Sequence, residues 1–169
     1  FPDRTAVIYG DRRYTWAESY ARMRRLASAL NGAGLGIGDT VSVIAANTPE
    51  MFEAHFGVPM AGCVLNTINT RLEAETISYI LENSDCRVLI VDTAFAPAVV
   101  PALESLPADV RKNIRVVDIR DAAMGDLAPV GDEDYESFIG AGDPDYDWQM
   151  PADEWQALAL GYTSGTSGR

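Results

Sequence analysis

Residues 87–91 read Arg-Val-Leu-Ile-Val, a short and almost continuous apolar run. Such a run is typical of a parallel β-strand that is buried on both faces of its sheet. Further short apolar segments occur at Thr40–Ala45, Cys63–Asn66 and Arg115–Asp118. Helical patterns separate these segments, and the connections between them are only a few residues long. The alternation predicts an α/β fold with a doubly wound, largely parallel sheet flanked by helices.

The amino-terminal residues predict a hairpin followed by an amphipathic helix. Gly10-Asp11 suits a two-residue turn between two short strands. Thr15 and Glu18 then form a capping-box pattern at the start of a helix. The predicted buried side of this helix comprises Trp16, Tyr20, Met23, Ala27 and Leu30. Its predicted solvated side carries Arg22, Arg24 and Arg25.

Three more helices are predicted from capping signals and apolar spacing. Thr48 and Pro49 give the second helix a capping residue and a proline at its first position. The segment Thr70–Glu73 has the pattern of a cap for the third helix, and the fourth is expected at about 96–106. His55, the only histidine, has no metal-ligand partner at a suitable spacing. We therefore interpret it as a surface or packing residue.

The formal net charge of −12 is concentrated in one part of the chain. Residues 118–154 contain twelve acidic residues and a single basic one, Arg120. Gly and Pro are frequent there, which predicts an exposed acidic connection from Asp121 to Gln149, with one short helical turn at Tyr135–Phe138. The nearly neutral remainder is compatible with a polyanionic ligand. No basic stripe with interleaved aromatic residues is present, so we do not expect nucleic-acid binding.

Composition excludes several classes of protein. The chain has 169 residues, of which 47% are hydrophobic and 22% charged, as in ordinary globular domains. No run approaches the ~18 consecutive apolar residues of a membrane span, and the first residues do not form a signal segment. We therefore expect a cytoplasmic location, with Cys63 and Cys86 as buried free thiols. Phe1 is not an initiator Met, and the Gly/Ser/Thr-rich loop at the other end stops before any element that could use it. We therefore expect the chain to be the amino-terminal piece of something larger.

The end of the chain has the composition of a phosphate-binding loop. The segment Trp155–Tyr162 reads as a strand, which delivers the loop Thr163-Ser-Gly-Thr-Ser-Gly168 at its carboxyl end, where parallel sheets bind ligands. Glycines allow backbone N–H groups to converge on phosphate oxygens, and hydroxyl side chains add further donors. The loop is not a Walker loop, because Thr166 stands where that motif requires glycine. On composition alone, a flexible linker remains an alternative.

The order of residues in this region resembles a known family. Leu158–Gly168 resembles the phosphate-loop signature Y-T-S-G-[ST]-T-G-x-P-K-G of the adenylate-forming superfamily, which contains acyl-CoA synthetases, luciferases and peptide-synthetase adenylation domains. Other elements of that superfamily are matched, in order, by Tyr14–Glu18, Gly38–Val41, Asn47–Glu50 and Met60–Asn66. Two departures occur. Ser167 replaces the usual Thr, and the chain ends at Arg169, before the expected Pro-Lys-Gly.

The resemblance implies an ATP-dependent acyl-CoA synthetase, an AMP-forming acid–thiol ligase. In such enzymes a carboxylate and ATP give an acyl-adenylate and pyrophosphate, and coenzyme A then gives a thioester and AMP. The implied substrate is a fatty or other small organic acid, and the implied cofactors are ATP, Mg²⁺ and coenzyme A. The residues implied to hold the ATP phosphates are Thr163, Ser164, Gly165, Thr166, Ser167 and Gly168, of which Thr163 is also the implied Mg²⁺ contact. No catalytic side chain is assigned, because the attacking carboxylate is already ionised.

Asn69–Leu72 helps to choose within the superfamily, because it resembles the N-x-R-L form of coenzyme A ligases. The resemblance makes Arg71 a candidate contact of the coenzyme A nucleotide phosphate. The alternative is that Arg71 pairs with Glu75 at the start of a helix. Two other functions stay open, namely a peptide-synthetase-type adenylation domain and a non-catalytic nucleotide-binding module.

The pattern of residues along the chain also predicts how it is organised. Residues 1–120 are expected to form an α/β subdomain, residues 121–154 an acidic connecting segment, and residues 155–169 a strand with the start of the phosphate-binding loop. Together they would form the amino-terminal part of the large domain of an acyl-CoA synthetase-like fold. We expect this piece to be inactive alone. A small carboxylic acid is the expected partner molecule, and a homodimer is left open.

Overall fold

The secondary structure is taken from a computed structural model, which describes residues 1–163. The strands are β1 (Thr5–Tyr9), β2 (Arg12–Thr15), β3 (Thr40–Ile44), β4 (Val64–Thr67), β5 (Cys86–Asp92), β6 (Arg115–Ile119), β7 (Glu133–Asp134) and β8 (Ala159–Leu160). The helices are α1 (Trp16–Gly32), α2 (Pro49–Met60), α3 (Ala74–Asn83), α4 (Ala96–Ser105), α5 (Ala108–Arg111) and α6 (Tyr135–Gly140).

Six strands form the main sheet in the order β7-β6-β5-β3-β4-β8, and every neighbouring pair is parallel. Strands β1 and β2 form a separate antiparallel hairpin. The chain passes from β3 outward to β4 and then returns to the other side of β3 to form β5. This reversal makes the sheet doubly wound and confirms the predicted fold class.

The hydrophobic core lies on both faces of the sheet, as the apolar run in β5 predicts. Val88 and Ile90 contribute to the cluster that contains the buried residues of α1, α2 and α6. Leu89 and Val91 contribute to the cluster that contains the buried residues of α3 and α4. Successive side chains of a strand point to opposite faces. An unbroken apolar run is therefore required where both faces are covered.

Most of the predicted turn and capping signals are confirmed. Gly10 has a φ of 56° in the hairpin turn, which requires the conformational freedom of glycine. Thr15 and Glu18 form a complete capping box at the start of α1, and the Thr48 side chain caps α2. The predicted cap at Thr70–Glu73 is wrong. Helix α3 begins only at Ala74, and its N-cap residue makes no side-chain hydrogen bond.

The predicted faces of α1 are only partly correct. Met23, Ala27 and Leu30 are buried, but Trp16 and Tyr20 are about half exposed. The three arginines do not form a solvated face. Arg22 binds glutamates in α2 and α6, whereas Arg24 and Arg25 donate to backbone carbonyl oxygens in the loop that follows α6.

The acidic stretch between Asp121 and Gln149 is not merely an exposed connection. It adds β7 to the edge of the sheet beside β6 and places α6 against α1. Tyr135, Phe138 and Ile139 of α6 are buried in the core. The predicted helical turn is therefore a packed helix, because three large apolar side chains on one short helix outweigh the acidic composition around them. The proposed boundaries at residues 120 and 154 stay a prediction.

The end of the described chain also differs from the prediction. The strand expected at Trp155–Tyr162 is reduced to the two residues of β8, and Trp155 is 92% exposed. Cys63 and Cys86 are buried free thiols, as predicted. Burial raises their pKa values, to about 12 for Cys63 and about 11 for Cys86. In the described part of the chain, no helix has the length and apolar character needed to cross a membrane.

Replacement of Gly57 by alanine is expected to destabilise the protein by about 1–2 kcal/mol. A Cβ atom on Gly57 would lie 2.8 Å from Leu26 Cδ2 and 2.9 Å from the Met23 carbonyl oxygen, so α1 and α2 would have to move apart. Thermal unfolding measures the effect. Gly32→Ala is the matched control, because Gly32 also lies in a helix and has open space around it. An equal melting temperature for both variants would contradict the proposed close approach.

Candidate functional site

The base of the terminal loop is held at the edge of the main sheet. Strand β8 pairs with β4 through Leu65 with Ala159 and Asn66 with Leu160. The Leu65 N–H also donates to the Leu158 carbonyl oxygen at 3.0 Å. Thr163 follows β8 and is exposed, so its hydroxyl is available to a ligand. The other predicted phosphate-binding residues lie outside the described residues, namely Ser164, Gly165, Thr166, Ser167 and Gly168.

Tyr162 attaches this base to the α/β core. Its ring packs against the apolar cluster on the α3 and α4 side of the sheet. Its hydroxyl donates to Asn83 Oδ1, at the end of α3, at 2.8 Å. Burial raises the pKa of the Tyr162 phenol, and the neighbouring Tyr79 and Asp85 raise it further. The phenol therefore keeps its proton at neutral pH and acts as a hydrogen-bond donor.

Arg71 lies just before α3 and is exposed. Its backbone N–H donates to the Asn69 side-chain oxygen at 2.9 Å, which forms a local turn ahead of the helix. Within residues 1–163, no ion pair joins Arg71 to Glu75, so the predicted pairing is not observed. An exposed guanidinium group is suited to a phosphate ligand. Helix α3 has ten residues and spans about 15 Å. Arg71 precedes its first residue, whereas Tyr162 contacts its last residue, Asn83.

The carboxyl ends of the central strands carry a buried acidic cluster that sequence analysis missed. Glu50, Asp92 and Asp121 are buried at this edge, beneath the β1–β2 hairpin. The hairpin binds two of them, through Arg12 Nη2 to Glu50 Oε1 at 2.5 Å and through the Tyr9 hydroxyl, which donates to Asp121. A sequence signal was present, since Asp92 ends the apolar run of β5 and Asp121 follows β6 closely.

The electrostatics of this acidic cluster oppose anion binding. The hydrogen bond to Asp121, together with burial, raises the pKa of Tyr9 to about 12. Burial, and the nearby Asp121 and Glu50, raise the pKa of Asp92 although the Ala94 N–H donates to it. Like charges at short range repel a third anion. The reversal point of a parallel sheet is a common ligand site, but phosphate is disfavoured here, and the loop after the edge strand β8 is the better candidate.

A second network, which is buried at Glu53 and Tyr135, joins α1, α2 and α6. Arg22 Nε donates to Glu53 Oε1 at 2.5 Å, and Arg22 Nη2 donates to Glu136 Oε1 at 2.6 Å. The Tyr135 hydroxyl donates to the other oxygen of Glu53 at 2.9 Å. Burial raises the pKa of Glu53, against the opposing effect of Arg22. Each of these groups is hydrogen-bonded to at least one other, so the network stabilises packing and does not present a free group to a substrate.

An open groove of about 600 Å³ lies between β1 and the first turns of α2. Its lining includes Val7, Ile8, Phe52 and Phe56 and is mainly apolar. His55 also lines it and is exposed, as predicted, with Nδ1 2.7 Å from the Met51 carbonyl oxygen. In the range that the structure describes, no three His, Cys, Asp or Glu side chains are arranged to hold a metal ion.

Comparison with known proteins connects these features to one family. The family model described as "AMP-binding enzyme" matches residues 1–169. An acetate–CoA ligase of Humulus lupulus is 44% identical over 98% of this chain, which spans 31% of that relative. A peroxisomal acetate/butyrate–CoA ligase of Arabidopsis thaliana gives the same identity and coverage. The chain thus spans about a third of the length of these curated relatives.

Solved structures show the same fold. An acyl-CoA synthetase of Brucella canis superimposes with a TM-score of 0.77 over 98% of this chain and 29% of its own. Sequence identity to it is 22%, so this likeness supports the fold alone.

Proposed function

Because this chain belongs to the AMP-binding enzyme family, we propose that it forms the amino-terminal part of an ATP-dependent acyl-CoA synthetase. The full enzyme would convert a carboxylate and ATP to an acyl-adenylate and pyrophosphate, and then form the coenzyme A thioester with release of AMP. The 44% identity to an acetate–CoA ligase, over nearly the whole chain, is the observation that carries this proposal.

The terminal loop would hold the β- and γ-phosphates of ATP. Thr163 supplies an exposed hydroxyl at its start. The fit is supported by donor chemistry, since hydroxyl and backbone N–H groups are the donors that phosphate oxygens accept. Mg²⁺, when bound, would neutralise charge on the departing pyrophosphate, and Thr163 is our candidate for its contact. Arg71 is our candidate for a phosphate of coenzyme A.

The substrate that we propose is a small or fatty carboxylic acid. Two relatives are named for acetate and for acetate or butyrate, which supports a short acyl chain. Cytoplasmic location stays a prediction, and one of these relatives is named as peroxisomal. A homodimer also stays a prediction.

AMP release by the full-length protein, measured with a panel of carboxylic acids, tests this proposal. We expect release that depends on both a carboxylate and coenzyme A, together with an acyl-CoA product. Residues 1–169 alone should not catalyse carboxylate-dependent exchange of pyrophosphate into ATP. Transfer to a carrier-protein thiol in place of coenzyme A would indicate a peptide-synthetase adenylation domain. Nucleotide binding without any AMP release would indicate a non-catalytic module.

A further inference from the structure

We propose that Asn83 is a positioning residue for the phosphate-binding loop, because its amide oxygen fixes the base of the loop through the hydroxyl of Tyr162. The two side chains form one hydrogen bond, 2.8 Å long, between residues 79 positions apart in the chain. We call this pair the loop-base clamp. The inference builds on the proposed function, since it concerns the same loop.

In the part of the chain that the structure describes, few backbone hydrogen bonds attach the loop base. Within residues 1–163, strand β8 has two residues and pairs with β4. The next three residues, Gly161 to Thr163, have no regular secondary structure. A short edge strand opens more easily than a central one. A side-chain contact just beyond β8 therefore adds substantially to the order of the residues that lead into the loop.

Tyr162 connects the base of the loop to a rigid part of the fold. Helix α3 is fixed to the sheet by Ile77, Ile80 and Leu81, which are all buried. Asn83 is the last residue of this helix, so its side chain starts from a fixed backbone position. The ring of Tyr162 packs on the same apolar cluster. The clamp thus holds the residue next to Thr163 in a defined place relative to the sheet.

Asn83 has no evident role in ending its own helix. The C-cap residue is Ser84, whose backbone N–H donates to the Ile80 carbonyl oxygen at 3.0 Å. Within the described range, the Asn83 side chain bonds only to Tyr162. Asn83 is also exposed, so its loss would not leave a buried polar group without a partner. Its structural contribution to α3 is therefore small, and its bond to Tyr162 is its main contact.

A double-mutant cycle in the full-length enzyme tests the clamp. Asn83→Ala and Tyr162→Phe should each lower kcat/KM for ATP in acyl-adenylate formation by about fivefold, as expected for one hydrogen bond. The double variant should be no worse than either single variant. Thioester formation from a supplied acyl-adenylate should be unchanged. Asn83→Asp, which keeps the acceptor oxygen, should be close to wild type. Glu82→Ala, an exposed neighbour on α3, is the matched control.

Additive losses of kcat/KM in the double variant, or equal losses of rate in both half-reactions, would overturn the proposed role of the clamp. Hydrogen exchange at the amides of residues 161–163 gives a second readout that needs no activity. Both single variants should exchange faster than wild type there, and unchanged exchange would also overturn the inference. A wild-type enzyme that forms no acyl-adenylate would contradict the proposed function. The hydrogen-exchange result would then show, independently of activity, whether the clamp orders the loop base.

Discussion

Acyl-adenylate formation should slow by about 100-fold or more when Thr163 and Thr166 are both replaced by alanine in the full-length enzyme. The two hydroxyls are proposed to donate to the phosphates that leave as pyrophosphate. Negative charge develops on this group as the bond to the α-phosphorus breaks. Donors aimed at developing charge contribute most in the transition state, so kcat should fall more than affinity for ATP. Carboxylate-dependent pyrophosphate exchange measures this step.

The second half-reaction provides the internal control for this double variant. Thioester formation from a supplied acyl-adenylate involves no pyrophosphate and should change little. The double variant Thr163→Ser and Thr166→Ser keeps both hydroxyls and should retain most of the wild-type rate of acyl-adenylate formation. Thr76→Ala, an exposed threonine on α3, should have no effect. Equal losses in the two half-reactions would remove the proposed role of the loop.

Arg22→Met is expected to destabilise the protein by about 3–5 kcal/mol, the usual cost of leaving one member of a buried ion pair without its partner. The side chains of Arg22 and Glu53 are only 15% and 2% exposed, so Glu53 would keep a buried charge without its cation. Urea unfolding of the purified protein measures the change. Arg87→Met is the control, because its pair with Asp39 is exposed and should cost less than about 1 kcal/mol.

The loss of stability caused by Arg22→Met should become smaller as the pH falls. Burial already raises the folded-state pKa of Glu53 above its ordinary value, and loss of Arg22 removes an interaction that lowers it. A carboxyl group with a raised folded-state pKa favours the folded state when protonated and loses that stability as the pH rises through this pKa. The double variant Arg22→Met with Glu53→Gln should recover much of the loss. A deficit that is constant with pH would contradict this explanation.

Local signals predicted much of the fold. The apolar run at 87–91, the capping box at Thr15 and the cap at Thr48 each depend on residues within a few positions of one another, and all three are confirmed. The cap expected at Thr70 failed because the Asn69 side chain forms a turn with Arg71. Local competition between turn and helix is difficult to judge from composition.

Contacts between distant residues could not be predicted in the same way. Arg22 looked solvated because its partners lie 31 and 114 residues away. The acidic stretch looked exposed because the apolar residues of α6 are few and its neighbours are charged. At the candidate site, the order of residues predicted the loop. The Tyr162–Asn83 hydrogen bond was not predicted, because it depends on how α3 packs beside β8. Such contacts follow only from the assembled sheet.

The hairpin over the acidic cluster joins residues that are far apart in the chain, which sets the order in which its contacts can form during synthesis. The Tyr9 hydroxyl bonds to Asp121, which is added to the chain 112 residues after Tyr9. At about 5–20 residues per second, the hairpin emerges several seconds before its docking surface exists. During this interval, Arg12 can already bind Glu50, but the Tyr9 hydroxyl has no access to its acceptor on Asp121. Strands β1 and β2 therefore complete their contacts with the acidic cluster only after β6 and Asp121 have been synthesised.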